Sequence, residues 1–194
     1  MSYLLLGTIT FLISPAFEFI SIKGIRGGKQ ILGLTSLALL GYAVRGVYLH
    51  PEKFSIPAGV AAFSWLLLAA SAMLLLYSLC IEIPFVQTYH SSGVGKHLVT
   101  TGTYALVRHP GVLCFALLMV ALAWVSRSRL ALLAAPIWTG ADALYAWIQD
   151  RYLFPLMFPE YEDYQREVPM FIPTRTSFRR CLHTLGRAKI NEAA

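Results

Sequence analysis

Residues 111–148 read GVLCFALLMVALAWVS, then Arg127, Ser128 and Arg129, then LALLAAPIWTGADALYAWI. Each apolar run approaches the length at which a helix, rising about 1.5 Å per residue, crosses a hydrocarbon core of about 30 Å. A three-residue connection permits only a tight reversal, so the two runs form a helical hairpin. The turn holds two charges, while the runs themselves hold only Asp142.

Three more apolar runs precede the hairpin, at 2–22, 31–49 and 54–81. Glu18 and Arg45 lie near the ends of the first two, where long charged side chains reach the headgroups. The third has no charge and spans about 42 Å as a helix, so it tilts or protrudes. The chain is 57% hydrophobic and 13% charged, about half the charged fraction of a soluble domain. These features predict an all-α polytopic membrane bundle of about five transmembrane helices in a single domain, 1–194. Residues 1–90 form its scaffold, 91–173 its catalytic core and 174–194 a basic tail.

Basic residues in short loops stay on the cytoplasmic side. With the N-terminus outside, twelve of the sixteen Lys and Arg fall inside, and only Arg45, Lys53, Arg127 and Arg129 fall outside. The loop 82–110 and the C-terminus are therefore expected in the cytoplasm. A bacterial inner membrane and an endoplasmic reticulum membrane fit equally. No basic region precedes the first run and no small-residue cleavage pattern follows it, so it is read as a retained helix. Cys80, Cys114 and Cys181 have no metal-ligand spacing and act as apolar filler, so no metal site is expected. The net charge of +6 comes largely from the tail. Beside a membrane, such a cluster meets anionic lipid rather than nucleic acid, and the tail is expected to lie on lipid as a surface strand or helix.

The polar residues concentrate in 90–110, HSSGVGKHLVTTGTYALVRHP. Gly93, Gly95 and Gly102 permit close backbone approach, and Lys96, His97, Arg108 and His109 are donors suited to an anionic or zwitterionic ligand. Pro110 disfavours helix at His109 and opens the next helix at its first turn, fixing His109 at a helix mouth. An isolated Arg-His pair is an ordinary interfacial anchor. Here it stands in a larger pattern.

Leu98, Val99, Gly102, Thr103, Tyr104, then Arg108, His109, Pro110 resemble the hallmark of the isoprenylcysteine carboxyl methyltransferase family, within a superfamily that includes phospholipid methyltransferases. A second block, Pro159, Glu160, Tyr161, Glu162, Asp163, Tyr164, then Val168 to Pro173, resembles that family's C-terminal block in order and spacing. The resemblance covers about 91–173. It implies transfer of a methyl group from S-adenosylmethionine, held in a cytoplasmic cofactor pocket, to a lipophilic small molecule that enters from the bilayer. Carried over, it places Lys96, His97, Leu98, Val99, Tyr104, Arg108, His109, Pro110, Gly111 and Val112 at the cofactor, with His90, Gln149 and Asp150 beside them.

The family's Arg and two Glu near the end of the last span fall on Tyr145, Gln149 and Asp150, and Asp150 alone keeps the charge. Asp142, Tyr145 and Gln149 share one helical face, as a packing hydrogen-bond stripe or as the catalytic lining of the pocket. The missing Arg is the one the resemblance assigns to a prenylcysteine carboxylate. Tyr145 is suited to a neutral acceptor, and Asp142 to a base toward hydroxyl, thiol, amine or carbon acid. A prenylated or terpenoid carboxylate ranks first as acceptor, then a phospholipid amine, then a thiol. The alternatives are a lipid-binding protein on the same scaffold, or a prenyl isomerase or cyclase using Asp142 as acid. Glu82 is expected to be solvated or paired rather than catalytic.

Overall fold

The computed structural model describes residues 1–23, 25, 27–83 and 98–185. Among them every regular element is a helix, in keeping with the all-α expectation. The long ones are α1 (Ser2–Ile22), α2 (Gly28–Tyr48), α3 (Ala58–Leu76), α5 (Pro110–Ser126) and α6 (Arg129–Ile148). Shorter ones are α4 (Thr103–Leu106), α7 (Phe154–Met157), α8 (Tyr161–Glu167) and α9 (Arg175–Thr184). Two long helices end in π-helical turns, α3 in Tyr77–Glu82 and α6 in Gln149–Leu153.

Three helical stretches are long and apolar enough to cross a membrane, Gln30–Tyr48, Ala58–Glu82 and Arg129–Met157, and two shorter apolar ones, Ser2–Phe17 and Pro110–Ser126, accompany them. The architecture is that of a helical membrane protein. Large apolar side chains lie exposed along its flanks, among them Leu34, Leu37, Phe63, Leu66, Met73 and Leu132. In water such a surface would drive association; in a bilayer it is the solvent-facing side.

Small and polar residues hold the helices together. The hairpin packs α5 on α6, α3 packs on α5, and α1 packs on both α2 and α6. On α3 the buried residues are Ser64 and Ser71, and Ser78 continues the seven-residue spacing into the π turn. Small residues let membrane helices approach closely, and these hydroxyls return to their own helix: Ser64 Oγ donates to Ala61 O at 2.8 Å and Ser71 Oγ to Leu67 O at 2.7 Å. Trp138 is the large side chain at the centre of the core. Its Nε1 donates to Leu4 O at 3.1 Å, and Gly7 leaves room for the indole, since a Cβ there would come within 2.3 Å of its ring atoms.

The two ends of the bundle differ. At one, Ser128 caps α6 by accepting from Ala131 N and donates its hydroxyl to Val47 O at 2.6 Å. Phe54 N donates to Arg127 O and Arg129 N to Glu52 O, so the 49–57 segment is laced to the hairpin turn. The expected third helix thus begins at Ala58 rather than 54, because Pro57 at its N-cap is extended and residues 52–54 pair with the turn. Tyr3 packs on Tyr42, which brings the N-terminus to this end, along with Arg45, Lys53, Arg127 and Arg129. The opposite end gathers α4, α7, α8, α9, the start of α5 and the end of α6. Among the described residues, Arg108, Arg151, Arg166, Arg175, Arg179 and Arg180 lie at this second end.

Gly7→Ala is expected to destabilise the detergent-solubilised protein by about 1–3 kcal/mol through overpacking against Trp138. Gly41→Ala, where an added Cβ meets nothing within 4 Å, leaves the thermal midpoint unchanged, and a melting series of both variants makes the comparison.

Candidate functional site

Asp150 lies in the first turn of the π-helical end of α6 and is buried. Five donor atoms converge on its carboxylate. Arg108 Nε reaches Oδ1 at 2.7 Å and Nη2 reaches Oδ2 at 2.9 Å, a bidentate pair. Tyr161 OH donates to Oδ1 at 2.6 Å, Gln165 Nε2 donates to Oδ2 at 3.0 Å, and His109 Nε2 stands 3.3 Å from Oδ1. Arg108 Nη1 also donates to Gln165 O at 3.0 Å and Val168 O at 2.6 Å, so four of its five N–H groups are engaged. A buried charge is tolerable only when paired and hydrogen-bonded, and here both partners are. Asp150 and Arg108 are thus a positioning clasp, with little capacity left for a ligand or a proton.

The clasp joins the two sequence blocks. Arg108 N donates to Pro169 O at 2.9 Å and His109 N to Met170 O at 3.3 Å. Tyr164 OH donates to Tyr104 O at 2.7 Å, and Leu98 packs on the buried cluster of Tyr161, Tyr164 and Val168. His109 takes the N-cap position of α5 with φ −124° and Pro110 stands in the first turn, as the residue order predicts. The His109 ring stacks on Phe154, with centroids 5.9 Å apart and planes 11° apart, and meets Phe171 at 5.9 Å.

A second carboxylate supports the Gly102–Tyr104 turn. Glu82 is buried at the end of the α3 π turn and accepts from Thr103 N at 2.9 Å and from the Thr103 hydroxyl. Gly102 has φ 61°, and a Cβ there would collide with Glu82 Oε1, so glycine is required on both counts. The Gly102 N–H donates to Thr184 Oγ1 at 3.0 Å. Of the two expected states, solvated or paired, Glu82 takes the second, through hydrogen bonds from Thr103.

The structure brings together Leu98, Val99, Tyr104, Arg108, His109, Pro110, Gly111, Val112 and Asp150 at one end of the bundle. Tyr104 OH points to Ser78 O at 3.4 Å, and Gly111 lies close to Leu79. Asp142, Tyr145 and Gln149 are half-buried on α6. His90, Lys96 and His97, with Gly93 and Gly95, lie outside the described residues, as does the Glu18 side chain. Sequence reasoning missed Tyr161, Gln165, Thr103, Phe154 and Thr184. A tyrosine one π turn and a short helix beyond Asp150 was visible, but its partner was not. A shallow open depression beside the clasp is bordered by Arg151, Pro155, Glu162, Gln165 and Arg166, none of them in the expected cofactor set. Among the described residues no three His, Cys, Asp or Glu side chains gather to hold a metal ion.

Over 93 residues, 47% of the chain, the sequence is 33% identical to the nickel-cobalt-cadmium resistance protein NccN of Alcaligenes xylosoxydans xylosoxydans, and the match spans 43% of that protein. No family model matches the chain, and no solved structure does.

Burial, then the hydrogen bond to Asp150, raises the Tyr161 phenol well above its usual value, and burial does the same to Tyr164. In the unfolded chain both ionise near pH 10. Above that pH the unfolded state holds fewer protons than the folded one, so stability falls as pH rises. Thermal midpoints between pH 9 and 11 should decline, and Tyr161→Phe should flatten the slope. Asp150→Asn, which leaves Arg108 buried beside a neutral partner, should cost about 3–5 kcal/mol, against about 1 kcal/mol for Tyr161→Phe, both read from unfolding in detergent.

Proposed function

We propose that the chain is a membrane methyltransferase of the isoprenylcysteine carboxyl methyltransferase type, transferring the methyl group of S-adenosylmethionine to a lipophilic acceptor. The observation that carries this reading is the convergence of Arg108, His109, Tyr161 and Gln165 on Asp150. It holds the two sequence blocks against each other at the same end of the bundle. In this reading five helices cross the membrane, the N-terminus lies outside and the clasp end is cytoplasmic.

The residues at that end suit the cofactor. Phe154, Phe171 and Tyr104 offer aromatic surface for an adenine ring, and His109 and backbone N–H groups offer donors for a carboxylate and ribose hydroxyls. When bound, S-adenosylmethionine would supply an electrophilic methyl carbon to the acceptor's lone pair, with S-adenosylhomocysteine as the other product. The chain's part is placement and exclusion of water, which lowers most of such a barrier when the acceptor is already nucleophilic. Asp142 and Tyr145, about 12 and 8 Å deeper along α6 than Asp150 by helical rise, are the groups for orienting the acceptor and removing its proton. Without the family's Arg, a neutral or weakly acidic head is as well served as a carboxylate.

Calorimetric titration of the purified protein with S-adenosylmethionine should show one saturable site that His109→Ala weakens at least tenfold. Incubation of membrane extracts with methyl-labelled cofactor should label one lipid-soluble product, and a product without a methyl ester would remove the carboxylate from first rank. A part in nickel, cobalt or cadmium resistance is the other reading, drawn from the relative's name. Saturable binding of nickel, cobalt or cadmium ions with no response to S-adenosylmethionine would favour it.

A further inference from the structure

The C-terminal helix α9 has three distinct faces. At about 100° per residue, Ser177, Cys181 and Thr184 share one side, Phe178, Leu182 and Leu185 the next, and Arg175, Arg179 and His183 the one beyond. The first face is docked. Ser177 and Cys181 are buried, α9 packs against α4, and Thr184 Oγ1 accepts from Gly102 N at 3.0 Å. A reciprocal cap between Thr174 and Ser177 fixes where the helix starts. The second face is apolar and open, with Phe178 54%, Leu182 62% and Leu185 53% exposed, and Ile172 just before the helix is 81% exposed. The third face is cationic and exposed. Arg180, on the far flank, pairs with Glu167 at 2.8 Å.

The level of the helix is set by what it touches. Gly102 and Thr103 sit on Glu82, the last residue of the apolar stretch Ala58–Glu82. A helix fastened there lies at the height where a hydrocarbon core gives way to headgroups. With one side against the protein, an adjacent apolar side faces the acyl chains and the basic side beyond it meets lipid phosphates. That order of faces is what an interfacial amphipathic helix requires, and basic residues near an anionic surface add to the attraction.

We propose that α9 is an interfacial helix that seats on anionic lipid through Phe178, Leu182 and Leu185 with Arg175 and Arg179 on the phosphates, and that this seating holds the Gly102–Tyr104 turn in place through Thr184. The occupant is the lipid surface of the protein's own membrane. The inference does not depend on methyl transfer, since its readouts are structural.

The test uses the full chain, with Cys80 and Cys114 replaced by Ser, a nitroxide attached at Leu182→Cys, and reconstitution at low protein density. Vesicles are phosphatidylcholine alone or phosphatidylcholine with one-third phosphatidylglycerol. The expected result is a label shielded from a water-soluble nickel relaxant and open to oxygen in anionic vesicles, with nickel access rising at least threefold in neutral ones. Arg175→Gln with Arg179→Gln, both at exposed positions, should abolish the difference between the two lipids while leaving the thermal midpoint unchanged. Thr184→Val should leave the label seated while speeding amide exchange at Gly102. A label equally open to nickel in both vesicles overturns the proposal. So does shielding that ignores lipid charge, or that grows with protein density, which would make a second copy of the chain the occupant.

Discussion

One carboxylate organises the functional end of this protein. Asp150 is too deeply buried to be tolerated alone, and the five donors around it come from α6's own neighbours in space rather than in sequence: Arg108 and His109 from before α5, Tyr161 and Gln165 from α8. A buried ion pair of this kind adds little net stability over apolar packing, yet losing one partner is costly. Its effect is therefore specificity of arrangement. Two segments some forty residues apart have one way to meet, and meeting sets the His109 ring between Phe154 and Phe171.

The rest of the molecule supplies what such a clasp needs. In a bilayer the helices gain no hydrophobic energy from touching one another, so their contact rests on close approach and on polar groups that find partners. The serine row of α3, the Gly7–Trp138 fit and the Ser128 hydroxyl on Val47 O are three solutions of that kind. They leave the outer surface apolar and place the bulk of the polar chemistry at one end.

The helices were legible because their signal is additive. Long apolar runs, a three-residue turn at 127–129 and Pro110 after His109 place four of the five long helices within three residues of their observed starts; α3 begins four residues later, at Ala58 after Pro57. The two blocks were legible through the resemblance, but their docking on one another at the Arg-His-Pro turn was not. Nothing local marks Tyr161 as the partner of Asp150, or Thr184 as the acceptor for Gly102, since both depend on how separate elements dock. Arg108 and Asp150 were read as cofactor groups through the resemblance, because a charged residue in sequence looks the same whether it meets a ligand or a neighbour. Only the geometry distinguishes these.

The two π-helical turns share a property. Each closes a long helix at the same end of the bundle, and each delivers a buried carboxylate, Glu82 or Asp150, to its donors. A π turn holds about one residue more than the α-helical turn it replaces, so Glu82, the last residue of its turn, is rotated relative to a continuous α-helix, while Asp150 stands at the start of its turn. Removing a single residue from the turn ahead of Glu82 would restore the α-helical phase there and swing that carboxylate by about 100°, away from Thr103.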